Sequence, residues 1–322
     1  MTTACYYHPA CLGHSPREDS SETPDRLRYI VDALHGEKFK ALLWPEVRRA
    51  KLSDLALVHS PQYIDFVFES VPMEGHRDIE IEDIVSDYDD GEITSLSPLS
   101  GEAVLYAVGA VLGAVDDVMS GKIANAYCAV RPPGHHATQD RAMGFCVFNN
   151  VAIGARHAQK KHGAKRVAIV DFDLHHGNGT QDIFEKDASV FYSSIHQLPM
   201  WPESGHEHEV GVGNLNNISV PPDCPRDLWM QRWNDVILRR LEKEDFDLLF
   251  VSAGFDAHNG DPKSSQPLTT EDYFNMAMAL RRIAEKKCGG RVIAVQEGGY
   301  HLQNTADSAA ALVEAFMRGD SR

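Results

Sequence analysis

The chain has 322 residues, 43% hydrophobic and 24% charged, and 31 Lys and Arg against 47 Asp and Glu give a formal charge of −16. That balance fits a soluble globular protein with a full core, excludes a long apolar membrane span, and leaves one large domain or two small ones open. The acidity disfavours direct contact with nucleic acid and draws cationic substrates such as polyamines or lysine-rich peptides, unless it serves solubility alone.

The first residues, MTTACYYHPACLGHSPRED, lack a basic start followed by an apolar stretch, so no secretory signal is expected. Six cysteines (Cys5, Cys11, Cys128, Cys146, Cys224, Cys288) are scattered without a CxxC pair. They read as reduced thiols in a cytoplasmic protein, and neither as a disulfide framework nor as a structural zinc site. Residues 71–100 are acidic and aperiodic and read as a long functional loop. The apolar stretch GEAVLYAVGAVLGAVDDVMSG predicts a buried helix. Beyond it, short apolar runs (NAYCAV, KRVAIVDF, SVFYSSIH, DLLFVSAGF, RVIAVQ) alternate with helical stretches, among them the amphipathic DLWMQRWNDVILRRLEKEDF. This alternation predicts an α/β fold, a mostly parallel sheet covered by helices on both faces.

Polar residues cluster where the apolar runs stop: RPPGHHA, DLHHGNG, GFDAHNGDP and EGGY each follow one of them. In an open parallel sheet, ligands bind beyond the carboxyl ends of the strands, so the four segments are expected to meet at one edge. In AIVDFDLHHGNG the groups Asp171, Asp173 and His175 alternate, with His176 next in line. Burying them is costly unless something pairs with them. Taken singly, Asp173 fits a helix cap and His175 a satisfied core histidine. Taken together they fit a metal site, because residues two apart on a strand end share a face about 7 Å apart and a bend shortens that. Asp256, from a second strand, closes the set. Two carboxylates and one neutral imidazole balance a divalent cation and leave positions for water and substrate, which suits zinc well and iron(II) acceptably.

The tandem His135 and His136 follow a rigid Pro-Pro-Gly turn and are candidates for general base and acid. Asp171 and Asn178 are plausible orienting partners for their second ring nitrogens. Tyr300 follows two glycines, where a phenol can reach a carbonyl oxygen as an oxyanion donor.

These motifs, RPPGHHA, GFCVFNN, VDFDLHHGNGTQ, SAGFDAHNGDP and EGGY in that order, resemble the zinc-dependent histone deacetylase superfamily in its class II-like and bacterial branch. The resemblance runs from ETPDRL to EGGY and implies one arginase-like catalytic domain over 1–322. It implies zinc ligands Asp173, His175 and Asp256, and His136 as general base and acid paired with Asn178. It also implies His135 held by Asp171, and Tyr300 on the oxyanion. A monovalent cation, potassium, would use Asp171, Ser194 and the carbonyls of Asp173 and His175. Gly144, Phe145 and Trp201 would line an acyl-lysine tunnel with Lys263 at its mouth, where a lysine resembles a gate that prefers a free carboxylate beside the acetylated residue.

Two departures stand out. The segment that usually reads HPE is SSE here (Ser20, Ser21, Glu22), which alters the loop near the site floor. The rim aspartate of relatives has no clear register, with Asp87, Asp89, Asp90 and Glu92 all available. The expected activity is hydrolysis of the N-acetyl amide of acetyl-lysine in a peptide or protein, without nucleic acid or membrane partners. The rivals are an acetylpolyamine amidohydrolase, a non-catalytic acyl-lysine binder and a two-metal ureohydrolase. The natural substrate, the acyl length and the oligomeric state stay open.

Overall fold

The computed structural model describes residues 2–79 and 93–318. The predicted strands appear as β4 (Asn125–Cys128), β5 (Val167–Asp171), β6 (Val190–Gln197), β8 (Leu248–Ala253) and β9 (Val292–Gln296). Two more join them in the central sheet, β1 (Thr3–Tyr6) and β7 (Leu215–Val220). β2 (Arg77–Asp78) and β3 (Ser95–Leu96) form a separate antiparallel pair within the acidic stretch 71–100. The rim candidates Asp87, Asp89, Asp90 and Glu92 lie outside the described residues.

The seven strands run in the order β1-β4-β9-β8-β5-β6-β7, and all neighbours are parallel. All five residues of β5 and all five of β9 are buried, as expected of strands covered on both faces. Helices Ser100–Met119 and Asn150–His162 pack on each other and on the sheet. Helices Pro24–Leu34, Thr270–Cys288 and Leu302–Met317 form a second layer. After β5 the chain moves outward to β6 and β7, then returns to place β8 on the other side of β5 and continues to β9. The winding reverses between β5 and β8, so a crevice opens at their carboxyl ends.

The stretch expected as one amphipathic α-helix is α-helical over Arg226–Arg232, turns wider over Trp233–Leu238, and ends as Arg239–Leu241. The cause is in the spacing. Trp229, Trp233, Ile237 and Leu241 are all buried and four residues apart. At 3.6 residues per turn such a stripe drifts by about 40° per step, and a wider turn keeps it facing the core.

Glu22, the last residue of the departing SSE segment, is fully buried. Its carboxylate accepts from Arg131 Nε at 2.6 Å and Arg26 Nη1 at 2.8 Å. Arg26 Nη2 donates to the Glu297 carbonyl at 2.6 Å, and Arg131 Nη1 donates to the carbonyls of Cys11 at 3.2 Å and His14 at 3.0 Å. The altered segment thus retains a carboxylate that ties the N-terminal region to the loop after β9. Burial opposes the charge of Glu22, but the Arg131 and Arg26 guanidiniums hold its pKa below the ordinary value. A depressed folded pKa gives stability that is present above the unfolded pKa and is lost as pH falls through the folded one. Glu22→Gln should therefore cost about 3–5 kcal/mol at neutral pH, seen as a lower urea midpoint. The gap to wild type should narrow below about pH 4. An unchanged midpoint would remove Glu22 from this role.

Candidate active site

The segments after β4, β5, β8 and β9 meet at the crevice. Asp171 ends β5, directly beside Ser252 of β8, so the chain beyond these strands carries Asp173 and His175 next to Asp256. Ligand atoms of Asp173, His175 and Asp256 lie within 4.8 Å of one another, and all three residues are buried. His175 Nδ1 stands 3.2 Å from Asp173 Oδ1 and 3.1 Å from Asp256 Oδ2. The remaining oxygens are held by the backbone: Gly298 N–H donates to Asp173 Oδ2 at 2.8 Å and Leu174 N–H to Asp256 Oδ1 at 2.9 Å.

The electrostatics fit a cation. Burial and the charge of Asp173 push the Asp256 carboxyl up. Burial works against a charged His175, yet the two carboxylates raise its pKa to about 10. Two buried carboxylates in conflict, sharing one imidazole, are the donor set whose repulsion a divalent cation removes.

The tandem histidines sit beside this cluster, with the His136 ring 5.9 Å from that of His175. His135 Nδ1 lies 3.1 Å from Asp171 Oδ2, and His136 Nδ1 lies 2.8 Å from Asn178 Oδ1. The two partners have different consequences. Burial disfavours charge on both rings, but Asp173 and Asp171 raise His135 to about 10. Burial, reinforced by the neighbouring His135 and His175, holds His136 far below its ordinary value. The two rings are thus pushed in opposite directions, His135 toward the charged form and His136 toward the neutral one. Asn178 Oδ1 accepts from His136 Nδ1, which leaves Nε2 with a lone pair. Ser194 pairs with Asp171 across β5 and β6, and its Oγ lies 2.8 Å from His196 Nδ1.

A family model described as "Histone deacetylase domain" matches residues 20–316. The chain belongs to the histone deacetylase family. It is 35% identical over 328 residues to "Histone deacetylase 10, chloroplastic" of Oryza sativa subsp. japonica, covering 97% of this chain and 72% of that protein. It is 34% identical over 311 residues to the "Histone deacetylase-like amidohydrolase" of Pseudomonas aeruginosa, covering 95% and 77%. It is 36% identical over 340 residues to "Polyamine deacetylase HDAC10" of Homo sapiens, where it covers 98% of this chain and about half, 48%, of the human protein. The crystal structure of the HDA15 HD domain is similar at a TM-score of 0.85 and 33% identity, covering 98% of this chain and 89% of that one. As a member of this family of deacetylases and amidohydrolases, the chain is a hydrolytic enzyme.

The expected tunnel residues of this histone deacetylase domain flank the same crevice. Trp201 stands 4.8 Å from the His136 ring and 6.3 Å from His175, edge-on to both. Phe145 stands on the side of Tyr300, 6.0 Å away between centroids. Between them Gly144 has φ +54°, and a Cβ there would lie 2.6 Å from both Trp201 Cη2 and His136 Cδ2. Lys263 is half-buried, and its backbone N–H donates to Asp261 Oδ1 at 3.0 Å. The other oxygen of Asp261 accepts from Tyr300 N–H at 2.7 Å, so Lys263 shares a loop with the support of Tyr300.

Several supporting residues went unassigned in the sequence. Asp261 and Arg26, whose guanidinium lies 4.7 Å over the Tyr300 ring, fix a loop that its two glycines mark as free to swing. Glu297 accepts from Gly134 N–H at 2.7 Å and His135 N–H at 3.1 Å, holding the histidine turn. Tyr192 O–H donates to Asp171 at 3.1 Å. The one readable signal was the Glu of EGGY, an acid ending an apolar strand.

At Gly254 an added Cβ would stand 1.9 Å from Asp173 Oδ2. Gly254→Ala must therefore displace a carboxylate of the cluster. It should weaken binding of a divalent cation at least tenfold, measured by competition with a chromophoric chelator, and an unchanged affinity would refute the packing described.

Proposed function

We propose that this enzyme is a zinc-dependent deacetylase that hydrolyses the N-acetyl amide of acetyl-lysine in peptides or proteins, acting as one catalytic domain. The observation that carries the reading is the convergence of Asp173, His175 and Asp256 within 4.8 Å, with the His136–Asn178 pair beside it. Asp173, His175 and Asp256 would hold the zinc ion. When bound, zinc supplies Lewis acidity toward the acetyl carbonyl and the attacking water. Asp171, Ser194 and the carbonyls of Asp173 and His175 would hold a potassium ion.

The chain's own groups do the rest. His136 takes a proton from water at Nε2 and delivers it to the departing amine, while Asn178 fixes the ring. His135, which its partner Asp171 favours in the charged form, offsets negative charge that develops beside it. Tyr300 donates its phenol O–H to the oxygen of the tetrahedral intermediate, and Arg26 and Asp261 hold it in position. The flat rings of Phe145 and Trp201 enclose the methylene stem and exclude water. Six buried cysteines with no disulfide among them suit a reducing compartment, and we place the enzyme in the cytoplasm.

Asp256→Ala is expected to lose bound zinc and activity together, checked by metal analysis of the purified protein. Tyr300→Phe should keep zinc and KM but lose about a hundred- to a thousandfold in kcat. A large rise in KM with kcat intact would assign the phenol to substrate binding alone.

A polyamine substrate is the second reading, favoured by the formal charge of −16. Lys263, on the loop of Asp261, speaks for the peptide reading, because an ammonium there repels a polyamine and attracts a carboxylate. At about 4 Å and an effective dielectric near 20 the Coulomb attraction is about 4 kcal/mol before desolvation and screening. A net preference of about 1 kcal/mol, roughly fivefold, is what survives at a partly exposed site. A peptide ending in acetyl-lysine should therefore exceed its C-terminal amide and acetylspermidine in kcat/KM, and Lys263→Leu should level the three. A wild-type preference for acetylspermidine would decide for the polyamine.

A further inference from the structure

A second group of metal-ligating side chains lies outside the catalytic crevice. Asp116 is on the helix Ser100–Met119, and His157 and His162 are on the helix Asn150–His162. Their ligand atoms lie within 4.8 Å of one another. His157 Nε2 and His162 Nε2 each stand 2.8 Å from the same oxygen, Asp116 Oδ1. Lys161 Nζ holds the other oxygen, Oδ2, at 2.7 Å, and so turns Oδ1 toward the imidazoles.

We propose that Asp116, His157 and His162 form a second, exchangeable site for a divalent transition-metal ion. The donors are two imidazole nitrogens and one carboxylate oxygen, a set that suits zinc, nickel or copper and not magnesium or calcium. Without metal, each Nε2–H donates to Oδ1. A neutral imidazole can carry its proton on Nδ1 instead, which frees the Nε2 lone pair. Donors about 2.0–2.1 Å from a tetrahedral zinc ion stand about 3.4 Å apart. The 2.8 Å pairs must therefore open by about half an ångström. His162 can supply that movement, because it is the last residue of its helix, followed by Gly163 in the left-handed region at φ +70°. The ammonium of Lys161 and the single carboxylate weaken the hold on a dication, so the ion exchanges and is not a folding requirement.

The site is remote from the catalytic crevice. Its helix begins after Asn149, whose side chain donates to the Ala137 carbonyl beside the tandem histidines. It ends 13 residues later, just before β5 begins. At 1.5 Å per residue that is about 20 Å, from the carboxyl edge of the sheet to the opposite edge.

The test counts metal on the full chain. Dialysed protein is titrated with nickel by calorimetry and with cobalt by visible absorption, in wild type, Asp256→Ala, and Asp256→Ala combined with His162→Asn or Asp116→Asn. One equivalent should remain in Asp256→Ala and vanish in both double variants, while His162→Asn alone keeps deacetylation within twofold of wild type. Two equivalents in Asp256→Ala, falling to one with His162→Asn, would uphold this site and overturn the catalytic ligand set instead. No binding to Asp256→Ala, or an equivalent that persists in both double variants, would overturn the proposal.

Discussion

The structure is organised around the mutual repulsion of Asp173 and Asp256. Two carboxylates buried at the ends of adjacent parallel strands cannot both remain charged without a counter-charge between them. Their surroundings are shaped by this. One oxygen of each is held by a backbone N–H, from Gly298 and Leu174, and a glycine at 254 leaves room for the first carboxylate. The inward oxygens both face His175 Nδ1. The sheet order makes the meeting possible, because only where the winding reverses do two neighbouring strands send their following loops apart.

The same field sorts the two tandem histidines. Both rings are buried and their centroids are only 3.9 Å apart, so two charges there would repel strongly. Asp171 and Asp173 favour a positive charge on His135, and the neutral amide of Asn178 adds no such pull on His136. A carboxylate at 178 would lift His136 toward the charged form and spoil a lone pair that is available at neutral pH. Identical side chains, one residue apart, are thus shifted in opposite directions by their second partners.

Much of this was legible in the sequence. Strands buried on both faces must read as apolar runs, and the polar residues at their ends had to project from one edge. The choice of partners was legible in kind, since Asp171 and Asn178 flank the metal segment. Other parts were hidden for physical reasons. β1 is only four residues long, and β7, LNNISV, is an edge strand whose Asn216 and Asn217 side chains bond to Ser193 and Gln181 instead of the core. The wide turn at 233–238 depends on a four-residue stripe of large side chains that a 3.6-residue pattern absorbs without notice. The pairing of Glu22 with Arg26 and Arg131 was not legible, because nothing in composition marks a buried three-way ion pair.

The clasp from Arg26 to the loop after β9 also bears on the order in which the molecule is made. Arg26 meets the carbonyls of Glu297 and Gly299 across more than 270 residues of chain. Contacts so far apart in sequence form late, because the closure entropy of the whole intervening chain is met before they contribute. During synthesis Arg26, the tandem histidines and the metal segment all emerge well before Asp261 and the loop that carries Tyr300. A nascent chain therefore carries much of the cation cluster but no anchored phenol, and catalytic competence arrives only with the last strand.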